Sequence, residues 1–172
     1  MKKLSIFSAA VLSLAVSAFS QAQQASGTGE VSAQVQFEDV TVSQLVPLDF
    51  GVVLPFGRSG SLTVSPTGPQ TASNLLSTVS ATPAEWRATG VPGAPFAISF
   101  PSSIDLTTGD GLNSMRVDSF RTNFRNPING AEQGAFPASG ETTLLVGARL
   151  VVNANQAAGI YSGQYQITVA YN

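Results

Sequence analysis

The chain has 172 residues, of which 43% are hydrophobic and only 10% charged, with 10 acidic residues against 8 basic ones. An average soluble domain is roughly 25% charged, so this surface is left to Ser, Thr, Asn, Gln and Gly, and the acidic balance argues against nucleic acid as a partner. There is no Cys and no His, and Lys occurs only as Lys2 and Lys3, so most nucleophilic, proton-transfer and transition-metal chemistry has no residue to run on and an enzyme is not expected.

The first residues read as an export signal. Lys2 and Lys3 give the positive end, residues 4–19 are apolar or small, and Ser20, Gln21 and Ala22 supply small residues at a cleavage site. The run is too short and too rich in Ser for a membrane anchor, which needs roughly 20 mostly apolar residues. The expected organisation is a signal peptide at 1–22, a flexible Gly, Ser and Gln leader at 23–30, and one domain at 31–172. Removing 22 of 172 residues leaves 150, enough for a core without disulfides. The six remaining basic residues, all Arg, then face ten acids for a net charge of −4.

In chain order, Val31, Ala33, Val35 and Phe37 alternate with polar residues, and the alternation resumes out of phase at Val40 and Val42. That pattern predicts a strand, then a bulge or break at Glu38 and Asp39. Residues 48–53 read as a short strand, 55–60 as a turn, and 61–64 as a weak strand. Residues 75–79 fit either a strand or a connection. Ala84, Trp86 and Ala88, then Phe96, Ile98 and Phe100, alternate on either side of Val91, Pro92 and Gly93, which predicts a paired hairpin. Residues 104–106, 115–120 and Phe124 are further strand candidates; 107–113 reads as a turn, and 126–139 is the longest predicted loop. The clearest strands are residues 142–153 and 161–171. In the last, Tyr161, Gly163, Tyr165, Ile167, Val169 and Tyr171 share one face, and polar residues take most of the other. No segment after the signal carries a 3.6-residue apolar period, so the expected fold is all-β: an immunoglobulin-like antiparallel β-sandwich.

Three elements resemble the bacterial secreted family known as domain of unknown function 4402: Leu48, Asp49, Phe50 and Gly51; residues 146–150, Val-Gly-Ala-Arg-Leu; and residues 159–163, Gly-Ile-Tyr-Ser-Gly, ahead of a Tyr-rich final strand. The resemblance spans most of the chain after the signal and implies no assigned activity. The end of the chain is also similar to subunits of chaperone-usher pili, which have a Gly fourteen residues from the C-terminus, an alternating apolar last strand and a penultimate Tyr. Gly159, the 161–171 stripe and Tyr171 stand at those places. That similarity implies an incomplete sandwich, completed by a strand from a periplasmic chaperone and then from another subunit. The disulfide common in such pilins has no counterpart here.

Two functions follow as expectations. The first is a non-enzymatic exported structural subunit, fimbrial or coat-like, located in the periplasm, on the cell surface or outside the cell. It would assemble by strand addition, with Val31, Ala33, Val35 and Phe37 as donor strand and Gly159, Tyr161, Tyr165, Ile167, Val169 and Tyr171 as the receiving edge. Its partners would be other copies, or a periplasmic chaperone and usher. The second is a self-complete secreted monomer that binds a glycan or protein through loops such as 126–139, in which case the 31–37 stripe is simply the first strand of its own sandwich. No cofactor is expected. Tyr161 reads as the clamp of a tyrosine corner, and Trp86 as a core residue rather than a sugar platform. Asp105, Asp110 and Asn113 miss the regular spacing of a calcium loop. Glu38 and Asp39 are neighbours on a strand and point to opposite faces, so they cannot flank one glycosidic bond.

Overall fold

The computed structural model describes residues 32–34, 38–55, 57–77 and 81–172, and all regular elements among them are strands. The chain divides into two units, Met1–Val35 and Gln36–Asn172. In the first, residues 32–34 are exposed and belong to no strand. Of the expected donor strand, only Ala33 is therefore described; Val31, Val35 and Phe37 lie outside the described residues.

The second unit is an antiparallel β-sandwich. Its strands are β1 (Thr41–Val46), β2 (Val53–Pro55), β3 (Gly60–Thr63), β4 (Thr71–Ser73), β5 (Leu75–Ser77), β6 (Ala84–Thr89), β7 (Pro95–Ser99), β8 (Ser103–Thr108), β9 (Ser114–Thr122), β10 (Gln133–Ala135), β11 (Glu141–Val152), β12 (Tyr161–Ser162) and β13 (Thr168–Tyr171). An eight-stranded sheet runs β1-β6-β11-β9-β8-β12, with β3 on β11 and β4 on β3. A smaller sheet runs β10-β7-β13, and β2 pairs with β5.

The twelve-residue β11 organises the large sheet. Its period-two run of Leu144, Val146, Ala148, Leu150 and Val152 is buried throughout, as a strand under a second layer requires. One edge of β11 pairs with β9. The other is shared by β6 over Glu141 to Val146 and β3 over Arg149 to Val152. Gly147 sits at the changeover, where a Cβ would collide with the Val64 carbonyl oxygen and Pro66.

The core has two parts. Ala88 and Leu144 of the large sheet meet Phe96, Ile98, Phe136 and Ile167 from the opposite layer. Leu62, Val64, Val117, Val146, Leu150 and Val152 form the other part. An aromatic seam joins them: Trp86 meets Tyr165 edge-on at 5.9 Å, and Phe120 stacks on both Tyr165 at 5.1 Å and Phe100 at 5.7 Å. Trp86 is thus a core residue, and its Nε1 donates to the Tyr165 hydroxyl at 3.0 Å.

Several elements depart from the sequence expectation. The predicted hairpin of residues 84–88 and 96–100 does not form: β6 pairs with β1 and β11, and β7 with β10 and β13. Gly90 N donates to the Gly140 carbonyl and Gly93 N to that of Phe136, so residues 90–94 turn a corner from one layer to the other. Ala88 and Phe96, both fully buried, then face each other across the core instead of lying side by side. Alternation finds strands but carries no information about which neighbour each one takes. Residues 48–52 form no strand; only Asp49 bridges to Thr82. The 126–139 loop contains β10, where Gly134 lets Phe96 and Phe124 close over the backbone.

In β9, two residues, Ser119 and Phe120, oppose the single Ala148 of β11, and Ser119 takes φ of 55°. This bulge moves the buried set from Met115 and Val117 to Phe120 and Thr122. Asp118, directly after the inward-facing Val117, lies on the outer face, where Arg149 binds it through two contacts at 2.8 and 3.0 Å and Ser119 Oγ donates at 3.0 Å.

The Arg149 hydrogen bonds, more than any other influence, hold the Asp118 carboxyl below its usual 3.8. A carboxylate depressed by folding contributes stability that is whole above the unfolded value and lost as pH falls through the folded one. The urea midpoint of the wild type is therefore expected to fall below about pH 4, and Asp118→Asn should reduce that acid-side fall. Identical midpoint-against-pH curves for the two proteins would contradict this.

Candidate functional site

The inner face of the large sheet carries apolar residues at every second position: Ile104 and Leu106 on β8, Met115 and Val117 on β9, Leu150 and Val152 on β11. The small sheet packs against the other half of this face, around Ala88 and Leu144. Here the cover consists of two separate extended segments, residues 47–55 and 156–165. Between them lies a groove of about 840 Å³.

The first wall is fixed by its polar atoms. Asp49 exchanges both backbone hydrogen bonds with Thr82, at 3.0 and 2.8 Å, and its carboxylate accepts from Gly51 N at 2.8 Å. Gly51 has φ of 64°, a conformation in which a Cβ is costly. The resulting kink seats Phe50 in the core and leaves Val52 and Leu54 about half exposed on the rim, at 49% and 45%.

The second wall is clamped by Tyr161. Its hydroxyl donates to the Ala157 carbonyl at 2.7 Å and accepts from Gln156 Nε2 at 2.8 Å, while Gln156 also reaches the Ser114 carbonyl. This is the geometry of a tyrosine corner, in which a phenol ties the approach of a strand to its first residue. Ile160 beside it is 89% exposed.

The final strand expected over 161–171 is interrupted. Tyr161 and Ser162 pair with β8 in the large sheet, Thr168 to Tyr171 pair with β7 in the small one, and residues 163–167 belong to neither. The inward alternation survives the crossing: Tyr161, Tyr165, Ile167, Val169 and Tyr171 are all buried or half-buried, with exposed residues between them. Among the described residues, Gln164, Tyr165 and Gln166 make no backbone-to-backbone hydrogen bond. Gly163 lies against β8, where a Cβ would stand 2.9 Å from the Asp105 carbonyl oxygen. Tyr165 is anchored by Trp86, and its burial pushes the phenol pKa up.

Of the receiving-edge residues expected from sequence, Gly159, Tyr161 and Tyr165 line the groove, whereas Ile167, Val169 and Tyr171 belong to the core beneath the small sheet. The opposing wall was not foreseen as part of a site. Its only sequence signal is that Val52, Val53 and Leu54 are consecutive apolar residues stopped by Pro55, more than one buried face can absorb.

Among the described residues, Asp49 is the only charged one lining the groove. With its carboxylate used on Gly51, the walls offer apolar side chains, amides and hydroxyls. Such a surface binds by excluding water and by completing backbone hydrogen bonds. Asp110 is engaged within its own turn, accepting from Thr108 Oγ1 and Leu112 N. Among the described residues no group of three or more His, Cys, Asp and Glu is placed to hold a metal ion.

Fold and groove together define an antiparallel β-sandwich domain with a mostly uncharged groove among the described residues of its inner face. The chain belongs to the family described as a domain of unknown function, DUF4402, whose model matches residues 40–171. The match opens one residue before β1 and contains every strand of both sheets. No curated protein and no solved structure matches the chain. Among the described residues no helix is long and apolar enough to cross a membrane.

Proposed function

We propose that the protein is an exported, non-enzymatic structural subunit, a component of a fimbrium or surface coat, that assembles by accepting a β-strand into the groove. The groove is the observation that carries this reading. Its floor is the inner face of a sandwich, its rim keeps Val52, Leu54 and Ile160 exposed, and along one wall Gln164, Tyr165 and Gln166 make no backbone-to-backbone hydrogen bond among the described residues. An exposed apolar surface of this kind beside an unpaired strand edge is what strand addition uses. The leader-like start and the low charge of the chain support export and close approach of copies.

Sedimentation of the protein after removal of residues 1–22 tests this. It should form concentration-dependent oligomers that resist mild detergent. Val52→Arg, a change at a half-exposed rim position, should weaken them at least about tenfold, because each buried Val is worth about 1.5–3 kcal/mol and about 1.4 kcal/mol is a factor of ten. A wild-type protein that stays monomeric at every concentration overturns the reading.

The alternative, a self-complete binding module, is favoured by the loop around Ile128. Asn126 Oδ1 accepts from Ile128 N and Asn129 N, Gly130 N donates to the Asn126 carbonyl, and Arg125 reaches both Gly130 O and Glu132. Ile128 stands 93% exposed on this rigid loop. Such preorganised apolar anchors suit a protein partner. In that case Ile128→Ser would abolish ligand capture by a monomer and leave its melting temperature unchanged.

A further inference from the structure

The large sheet ends at β1, and among the described residues nothing pairs with the far edge of that strand. We infer that this edge is an interface between copies in its own right: two β1 strands pair antiparallel across a two-fold axis at Ser43, side by side and away from the groove. The inference does not rest on the groove accepting a strand; it adds a lateral contact.

Which backbone groups face outward follows from the alternation of the ladder. Gly90 N donates to the Gly140 carbonyl, and Thr89 stands opposite Glu141 next in register. Hydrogen-bonded pairs alternate with non-bonded ones in an antiparallel ladder, so Ala88 and Trp86 turn their backbone groups to β11, while Thr89 and Arg87 turn theirs to β1. Their partners there are Thr41 and Ser43. Val42 and Gln44 therefore present N–H and C=O to the open side. All six residues of β1 are exposed, Val42 at 37%.

Sheet edges are ordinarily blunted by charge, proline or a bulge. Residues 40–48, Val-Thr-Val-Ser-Gln-Leu-Val-Pro-Leu, carry no charge, and their proline comes only after β1 has ended. The bulge of β1 lies beyond Gln44. Thr41 to Gln44 is thus a regular, unprotected stretch.

That stretch is complementary to itself. With the axis at Ser43, Val42 of each copy lies opposite Gln44 of the other, and all four residues offer outward N–H and C=O groups. The two pairs exchange about four hydrogen bonds. The same register sets Glu38 and Asp39 against Leu48 and Pro47 of the second copy, so acid does not meet acid in a chain that has an excess of acids. A contact this short is weak between free molecules and effective between copies already held close together. Being two-fold, it closes at two copies and makes no thread by itself. It joins neighbouring threads edge to edge, with one sheet running through both copies, which is what a coat requires beyond a single file.

The chain contains no Cys, so one introduced thiol reports the contact. Ser43 would face its own counterpart in a non-hydrogen-bonded pair, about 4.5 Å between Cα atoms, inside the range of about 4.4–6.8 Å that a disulfide spans. Gln44 would stand diagonally from its counterpart, at about 7–8 Å. In full-chain protein carrying Val52→Arg, which removes joining through the groove, mild oxidation should turn Ser43→Cys into a covalent dimer and leave Gln44→Cys monomeric on a non-reducing gel. Adding Val42→Pro should abolish the Ser43→Cys dimer with the melting temperature unchanged, because the lost N–H points away from β6 and proline is tolerated at such an edge. Val42→Asp/Gln44→Asp, which sets like charges opposite each other, should abolish it too. A Ser43→Cys that stays monomeric overturns the inference. So does equal cross-linking of Ser43→Cys and Gln44→Cys, or a Ser43→Cys dimer that survives both edge changes, since either is random collision. The groove reading stands or falls separately, on whether Val52→Arg weakens the wild-type oligomers.

Discussion

Tyr165→Ala is expected to lower folding stability by about 3–5 kcal/mol, the range for truncating a large buried aromatic. The residue stacks on Phe120, meets Trp86 edge-on and accepts the Trp86 Nε1 hydrogen bond at 3.0 Å. It stands between β12 and β13, where, among the described residues, 164–166 make no backbone-to-backbone hydrogen bond, so its side chain helps to hold the ribbon there. Its removal unfastens the crossing and leaves the indole N–H without its partner. Tyr165→Phe keeps the ring and loses only the acceptor, at a cost of about 1–3 kcal/mol. Urea unfolding followed through Trp86, the only tryptophan, separates the two. Equal losses for Ala and Phe would show that the hydrogen bond, not the ring, secures the ribbon.

Gly147→Ala should be nearly as damaging, at about 2–5 kcal/mol from overpacking and a broken buried hydrogen bond. The new methyl would lie 2.1 Å from the Val64 carbonyl oxygen and 2.9 Å from two atoms of Pro66. Residues 64–66 cross over β11 at this point, and Val64 N donates to the Ala148 carbonyl at 2.9 Å. Relief of the clash requires residues 64–66 to lift away, breaking that bond and opening the core above Val64, which is 1% exposed. Gly109→Ala is the matching control: its Cβ meets nothing within 4 Å. A melting temperature for Gly147→Ala equal to that of Gly109→Ala would refute the steric account.

Much of this molecule was legible in one dimension. The 107–113 turn between β8 and β9, the length of β11 and the inward-facing odd-numbered residues of the C-terminal segment follow from local preference and period-two burial. Trp86 as core and Tyr161 as clamp followed from the residue types in those patterns. Even the β9 bulge left a trace, because Met115 and Val117 are two apart while Phe120 comes three later.

Pairing was not legible. The terminal stripe alternates without a break from 161 to 171, yet it serves two sheets, because a side chain's face depends on its own backbone and its hydrogen-bond partner on the rest of the chain. The corner at residues 90–94 was read as a hairpin for the same reason. The groove was hidden more completely, since one wall is a kinked segment with no strand period and the floor joins β8 and β9 to β11, whose contribution comes some thirty residues later in the chain. Composition and periodicity determined that this chain is an all-β sandwich with a weakly charged surface, because burial and propensity act residue by residue. Only the tertiary structure decided that the described residues leave a groove on one part of its inner face, because an uncovered surface depends on where all of those segments lie together.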